Sequence, residues 1–138
     1  MENTTQVEEI KNTRQLYAIY SCETQYGGMH GYEYYSVEYC TSDEEAKSIG
    51  IENAKNEVIL SFGLDDNYRE DANEQGLETE EEIEAYVEEQ MCENAECQVW
   101  VVDEEKVAMA DECVGSVQEL FYNDKDSFIE KYCSREVE

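Results

Sequence analysis

The chain contains no proline, a single histidine and only nine lysine and arginine residues among 138. Without proline, its turns fall to Gly, Asn, Asp and Ser. With His30 alone, and with no G-x-S-x-G or P-loop sequence, the usual nucleophile and phosphate-cradling constellations are missing. No stretch approaches the roughly 20 apolar residues of a membrane helix. Met1 to Thr13 has neither the basic nor the apolar region of a signal peptide, so a cytoplasmic protein is the expectation.

Negative charge is present in excess. Asp and Glu number 36, for a formal net charge of −27. Such a charge speaks to partners, solubility and association rather than to fold, and it strains the compact state by self-repulsion. Eleven tyrosines set the chain apart from disordered acidic tails, which are poor in aromatics. The length suits one domain: a polar leader over residues 1–13, with a short helix over Gln6–Asn12, and a single acidic domain over 14–138.

Six cysteines (Cys22, Cys40, Cys92, Cys97, Cys113, Cys133) would suggest bridges in a secreted chain, a premise the missing signal removes. Cys92 and Cys97 lack C-x-x-C spacing and His30 is remote, so free thiols acting as small hydrophobes are expected rather than a zinc site. Asp65-Asp66-Asn67 lacks the spaced ligands of a calcium loop. Carboxylates are too numerous for any acid–base pair to stand out. His30, within Gly28-Met29-His30-Gly31, reads as a turn residue. A non-enzymatic protein without metal or cofactor is the expectation.

Gln15 to Cys22 is aromatic and β-branched and predicts a strand; Gly27, Gly28 and Gly31 mark a turn, and Tyr32 to Cys40 a second strand, together an antiparallel hairpin. On the second strand Tyr35, Val37 and Tyr39 share one face, and Tyr34, Ser36 and Glu38 the other. Ser42-x-x-Glu45 is a capping box opening a helix to about Ile59, although Val58 to Phe62 also suits a short strand. Gly63 to Leu77 reads as a polar loop. Thr79-x-x-Glu82 caps a second helix to about Cys92, whose inward stripe is Ile83, Tyr86, Val87, Gln90 and Met91. Cys97 to Asp103 is a third strand, apolar on both faces. Asp111 to Tyr122 and Asp124 to Cys133 are two further helices, with Val114, Val117, Phe121, Phe128, Ile129 and Tyr132 as contacts. The expected fold is α+β, a small antiparallel sheet with about four helices in the order β-β-α-α-β-α-α.

The acids have an organisation. From Asp65 to Glu105 the one basic residue is Arg69. With the inward stripe buried, Glu80, Glu81, Glu84, Glu88 and Glu89 stand outside. Residues four apart rise about 6 Å along a helix, and a DNA strand presents a phosphate about every 3.4 Å of axis, so Glu80, Glu84 and Glu88 match alternate phosphates. A merely solvated helix mixes Lys with Glu at this spacing, whereas like charges there cost stability. The candidate partner-binding residues are Asp65, Asp66, Glu70, Asp71, Glu78, Glu80, Glu81, Glu84, Glu88 and Glu89, with Tyr26, Tyr32 and Tyr34 as aromatic anchors. Tyr17, Tyr20, Tyr35 and Tyr39 are expected to pack on the sheet.

A small, strongly acidic, lysine-poor chain resembles in composition the phage and mobile-element inhibitors that imitate DNA, among them anti-restriction and anti-CRISPR proteins, and its aromatic hairpin leading into the Ser42–Ala46 cap is similar to that of many short phage proteins. That resemblance implies a basic nucleic-acid-binding partner, a CRISPR effector or restriction nuclease, and no direct contact with nucleic acid or membrane. The rival expectation is a phage or plasmid accessory protein acting through protein–protein contact or oligomerisation, its acidity serving solubility alone.

Overall fold

A computed structural model of the chain describes residues 14–25, 33–110 and 114–138, with backbone alone at 114–116. The leader and its helix over Gln6–Asn12, the glycine-rich turn with His30, the anchors Tyr26 and Tyr32, the predicted helix start at Asp111, Cys113 and the Val114 side chain lie outside the described residues.

The elements are β1 (Gln15–Glu23), β2 (Glu33–Cys40), α1 (Asp43–Asn53), a π-helical segment (Ala54–Leu60), α2 (Leu64–Glu74), α3 (Glu80–Asn94), β3 (Ala95–Val102), α4 (Glu104–Met109), α5 (Val114–Asn123), α6 (Lys125–Tyr132) and β4 (Cys133–Val137). The fold is α+β, a four-stranded antiparallel sheet in the order β2-β1-β3-β4. β1 and β3 are the inner strands. Their runs of consecutive buried residues, Leu16 to Ile19 and Val99 to Val102, reflect sheet interior covered on both faces.

The sequence-level expectation is corrected in three places. Gly63 to Leu77 is not a loop: it holds α2, whose buried Leu64, Tyr68 and Ala72 recur every four residues. Gly63, at φ +73°, turns the chain into this helix in a left-handed conformation that a side chain would strain. Gly76 closes it, its N–H bonding to Asn73 O while Leu77 N–H bonds to Ala72 O, the paired bonds of a Schellman stop. Second, Glu104–Met109 forms α4, opened by the Asp103 carboxylate accepting from the N–H groups of Glu105 (3.0 Å) and Lys106 (3.4 Å). Third, Cys133–Val137 is a strand, β4, pairing antiparallel with β3 from Val99↔Val137 to Val102↔Cys133, with an irregularity in register between Val101 and Val102.

Both expected caps form. Glu45 N–H donates to Ser42 Oγ at 3.1 Å and Glu82 N–H to Thr79 Oγ1 at 3.2 Å. The first of these helices passes from α to π at Ala54, one turn after Gly50, whose carbonyl accepts the buried Ser21 hydroxyl at 2.8 Å. A side-chain donor of that kind loosens the helical ladder.

The described residues group into two compact units. The first (14–20, 35–49 and the described part of 98–138) is built on Leu16, Ala18, Trp100, Val102, Val107, Val117, Phe121 and Phe128, with Tyr20, Tyr35 and Tyr132 packed against them. Its aromatic rings meet edge to face, Tyr35 lying 5.2 Å from Phe121 at 84°. Tyr17 donates to Asp43 Oδ1 at 2.6 Å, and Arg135 of β4 grips the same carboxylate with both terminal nitrogens at 3.1 Å. The second unit (21–25, 33–34 and 50–97) is built on Ala54, Val58, Ile59, Leu64, Tyr68, Val87, Met91 and Ala95. Burying each of its larger apolar side chains is worth about 1.5–3 kcal/mol.

Candidate acidic interface

The second unit carries half of the chain's 36 acidic residues and two of its nine basic ones, Lys55 and Arg69. α2 and α3 pack together, each turning its apolar stripe inward: Leu64, Tyr68 and Ala72 on α2, and Val87 and Met91 on α3 with Ile83 and Tyr86 half-buried beside them. That packing leaves Asp66, Glu70, Glu78, Glu80, Glu81, Glu84, Glu88 and Glu89 exposed, while Asp65 and Asp71 are half-buried on α2.

Arg69 shows how these carboxylates converge. Its guanidinium bonds to Glu80 Oε1 at 2.8 Å, bridging α2 to the first turn of α3. Its pKa is raised above the usual arginine value, chiefly by the bond to Glu80, with Glu84 and Asp65 adding attraction. Carboxylates from both helices therefore act on one cation. The Gln75 amide adds a second link, donating to the Tyr86 hydroxyl at 2.8 Å.

The acids of α3 divide by what the helix itself requires. Glu80, Glu81 and Glu82 occupy its first turn, where negative charge is favoured by the helix dipole. Glu84, Glu88 and Glu89 lie beyond that turn, in the middle of the helix where the dipole does not favour them, and the last turn holds no base. Like charges at i, i+4 cost about 0.2–0.5 kcal/mol per pair. These three carboxylates oppose helix stability, so their placement calls for another reason.

The aromatic anchors fare differently. Tyr34 is half-buried and packs against the second core instead of standing out as an anchor. Tyr39, expected to pack, is instead 43% exposed on the outer strand β2, its hydroxyl bonded to Glu104. Among the described residues, the large apolar groups exposed on the second unit are Leu60 and Phe62, 47% and 50% open at and just after the end of the π-helical segment and just before Asp65 and Asp66. Sequence reading passed over them because Val58 to Phe62 suits strand and helix equally; Gly63, which ends the segment, was the available signal.

Among the described residues no group of His, Cys, Asp and Glu is arranged to hold a metal ion, and no helix is long and apolar enough to cross a membrane. The chain matches no protein-family model, no curated protein and no solved structure.

Proposed function

We propose that this chain is a non-enzymatic inhibitor that imitates DNA phosphates and occupies the nucleic-acid channel of a basic defence nuclease, in the manner of anti-restriction and anti-CRISPR proteins of phage or mobile elements, acting in the host cytoplasm. The observation that carries the reading is the exposed set Glu84, Glu88 and Glu89 on α3, held against helix stability beside a single base already engaged by Glu80. The Arg69–Glu80 bridge supports the reading by showing that these carboxylates accept a guanidinium. Channels that grip DNA draw affinity from counterion release. A rigid acidic protein competes by being preorganised and by adding apolar contact, for which Leu60 and Phe62 are exposed just ahead of Asp65 and Asp66 in the chain.

The test begins with capture of partners from bacterial lysate at low and high salt, followed by a gel-shift assay of whether this chain displaces duplex DNA from the captured protein. Changing Glu84, Glu88 and Glu89 together to Lys leaves Val87 and Met91 intact and places opposite charges at i, i+4 from Glu80 and Glu93, so the fold survives. Displacement then falls by an order of magnitude or more. The same change at Glu130, Glu136 and Glu138 serves as the control of equal charge. Equal loss from both sets, or capture of a protein that does not bind nucleic acid, overturns the reading.

A further inference from the structure

The first unit holds a row of aromatic rings that begins on a cation and ends in an open recess. Lys125 Nζ sits 4.2 Å above the centre of the Tyr20 ring and 5.8 Å from that of Trp100. Tyr20 abuts Tyr35 edge to face at 5.3 Å, and Tyr35 abuts Tyr122 at 5.4 Å and 86°. Beyond that last pair lies a recess of about 460 Å³ lined by Tyr35, Gln118, Glu119 and Tyr122. The three α5 residues fall on one helical face by their spacing. Tyr122, at 67% exposure, is a large aromatic side chain in water at the recess wall.

The chemistry of these walls selects the occupant. Small-molecule sites bury some 70–90% of their ligand; three of the four lining side chains here, Gln118, Glu119 and Tyr122, are exposed and only Tyr35 is half-buried, too open a wall to enclose one, so what enters is a side chain carried by a larger molecule. The Tyr rings offer electron-rich faces to a cation, Glu119 offers a carboxylate, and Gln118 offers an amide acceptor. Lys125 on Tyr20 shows the same row of rings already taking up positive charge. A guanidinium suits both features better than an ammonium, because it stacks flat on a ring while its fork of N–H groups meets a carboxylate. A nucleotide could stack on the rings too, but its phosphate would face Glu119 on a chain of net charge −27.

We propose that the Tyr35–Gln118–Glu119–Tyr122 recess is a receptor for an arginine side chain of a protein partner. It uses other residues and another unit than the acidic α2–α3 face, and stands whether or not that face imitates DNA. The probe is N-acetyl-L-arginine methylamide, titrated into the full chain while the tyrosine ring resonances are followed by NMR. Saturable shifts at Tyr35 and Tyr122 are expected at millimolar probe, absent with the uncharged citrulline analogue and weaker with the lysine analogue. Tyr122→Ala and Glu119→Gln should each weaken binding about fivefold, the second without altering packing, while Glu130→Gln leaves it unchanged. Shifts spread over the acidic surface without saturation, an equal response to citrulline or lysine, or unaltered binding in both recess variants would overturn the proposal.

Discussion

Tyr68 in α2 donates its hydroxyl to the carboxylate of Glu23 at the end of β1, and both side chains are sealed from solvent. In a unit dominated by exposed acids, a fully buried carboxylate is held through this bond. Tyr68→Phe keeps the ring and removes the donor, so it should destabilise the protein by about 1–3 kcal/mol, the worth of one hydrogen bond to a buried carboxylate. Urea unfolding measures it. An unchanged midpoint would show that the remaining neighbours of Glu23 suffice.

Alkaline pH should loosen the first unit through two phenols. Burial, then the bond to Asp43, pushes Tyr17 up to about 12, while for Tyr39 the bond to Glu104 and then burial do the same. A group whose folded pKa exceeds its unfolded value, here 10.0, binds its proton more tightly when folded. Its stabilisation is complete below that value and is lost as pH rises from there to about 12. Ultraviolet titration of tyrosinate should show a late-ionising step that shrinks in Tyr17→Phe and again in Tyr39→Phe. A single step at the ordinary tyrosine value in the native protein would contradict this.

Thiol reactivity should follow exposure. Cys92 is exposed, whereas Cys40 is pushed up to about 11 by burial and then by Glu45, and Cys133 to about 12 by burial. Because the thiolate is the reactive form, a thiol reagent at mildly alkaline pH should modify Cys92 first and Cys40 and Cys133 only slowly. All six cysteines should react once denatured without reductant. Fewer would reveal bridges.

Added NaCl should raise the melting temperature. Half of the acids share one unit with two bases, and the Debye length falls from about 30 Å at 0.01 M salt to about 3 Å at 1 M. Screened repulsion then outweighs the loss of exposed bridges such as Arg69–Glu80. A falling midpoint would give the bridges the larger share.

Arg69→Ala should change thermal stability little, since exposed bridges contribute little, yet tighten binding of a basic probe. Titrated with a lysine homopolymer, the variant should bind severalfold more tightly and with a steeper salt dependence than Lys55→Ala. Identical behaviour of the two variants would mean that Arg69 does not sit on the face that cations reach.

The parts legible in the sequence are those with redundant signals. β1 and β3 are dense in apolar residues, and α1 and α3 each open on a capping-box sequence whose Ser or Thr cap bond the structure forms. α2 was hidden because Leu64, Tyr68 and Ala72 are its only apolar residues in a run of charged and polar ones, although Gly76 and Leu77 spell its stop. α4 buries just Val107, and β4 just Val137, too little for periodicity to register. The acidic character of the candidate face was plain from composition. The Arg69–Glu80 bridge was not, because it requires α2 to be a helix packed on α3. Leu60 and Phe62 were hidden too, since no local pattern announces a π-helical segment.

β4 has a consequence for how copies of the chain treat one another. It lies at one side of the sheet and occupies the hydrogen-bonding groups of β3 from Val99 to Val102. Those four residues are apolar and buried. Bared by deletion of β4, they would form a hydrophobic strand with an unpaired backbone, a template on which a strand of another molecule can add. β4 itself turns Ser134, Arg135 and Glu136 to solvent, and charge on an outer strand discourages such addition. Five modest residues thus work as a selvedge, keeping the sheet from being woven into a fibre.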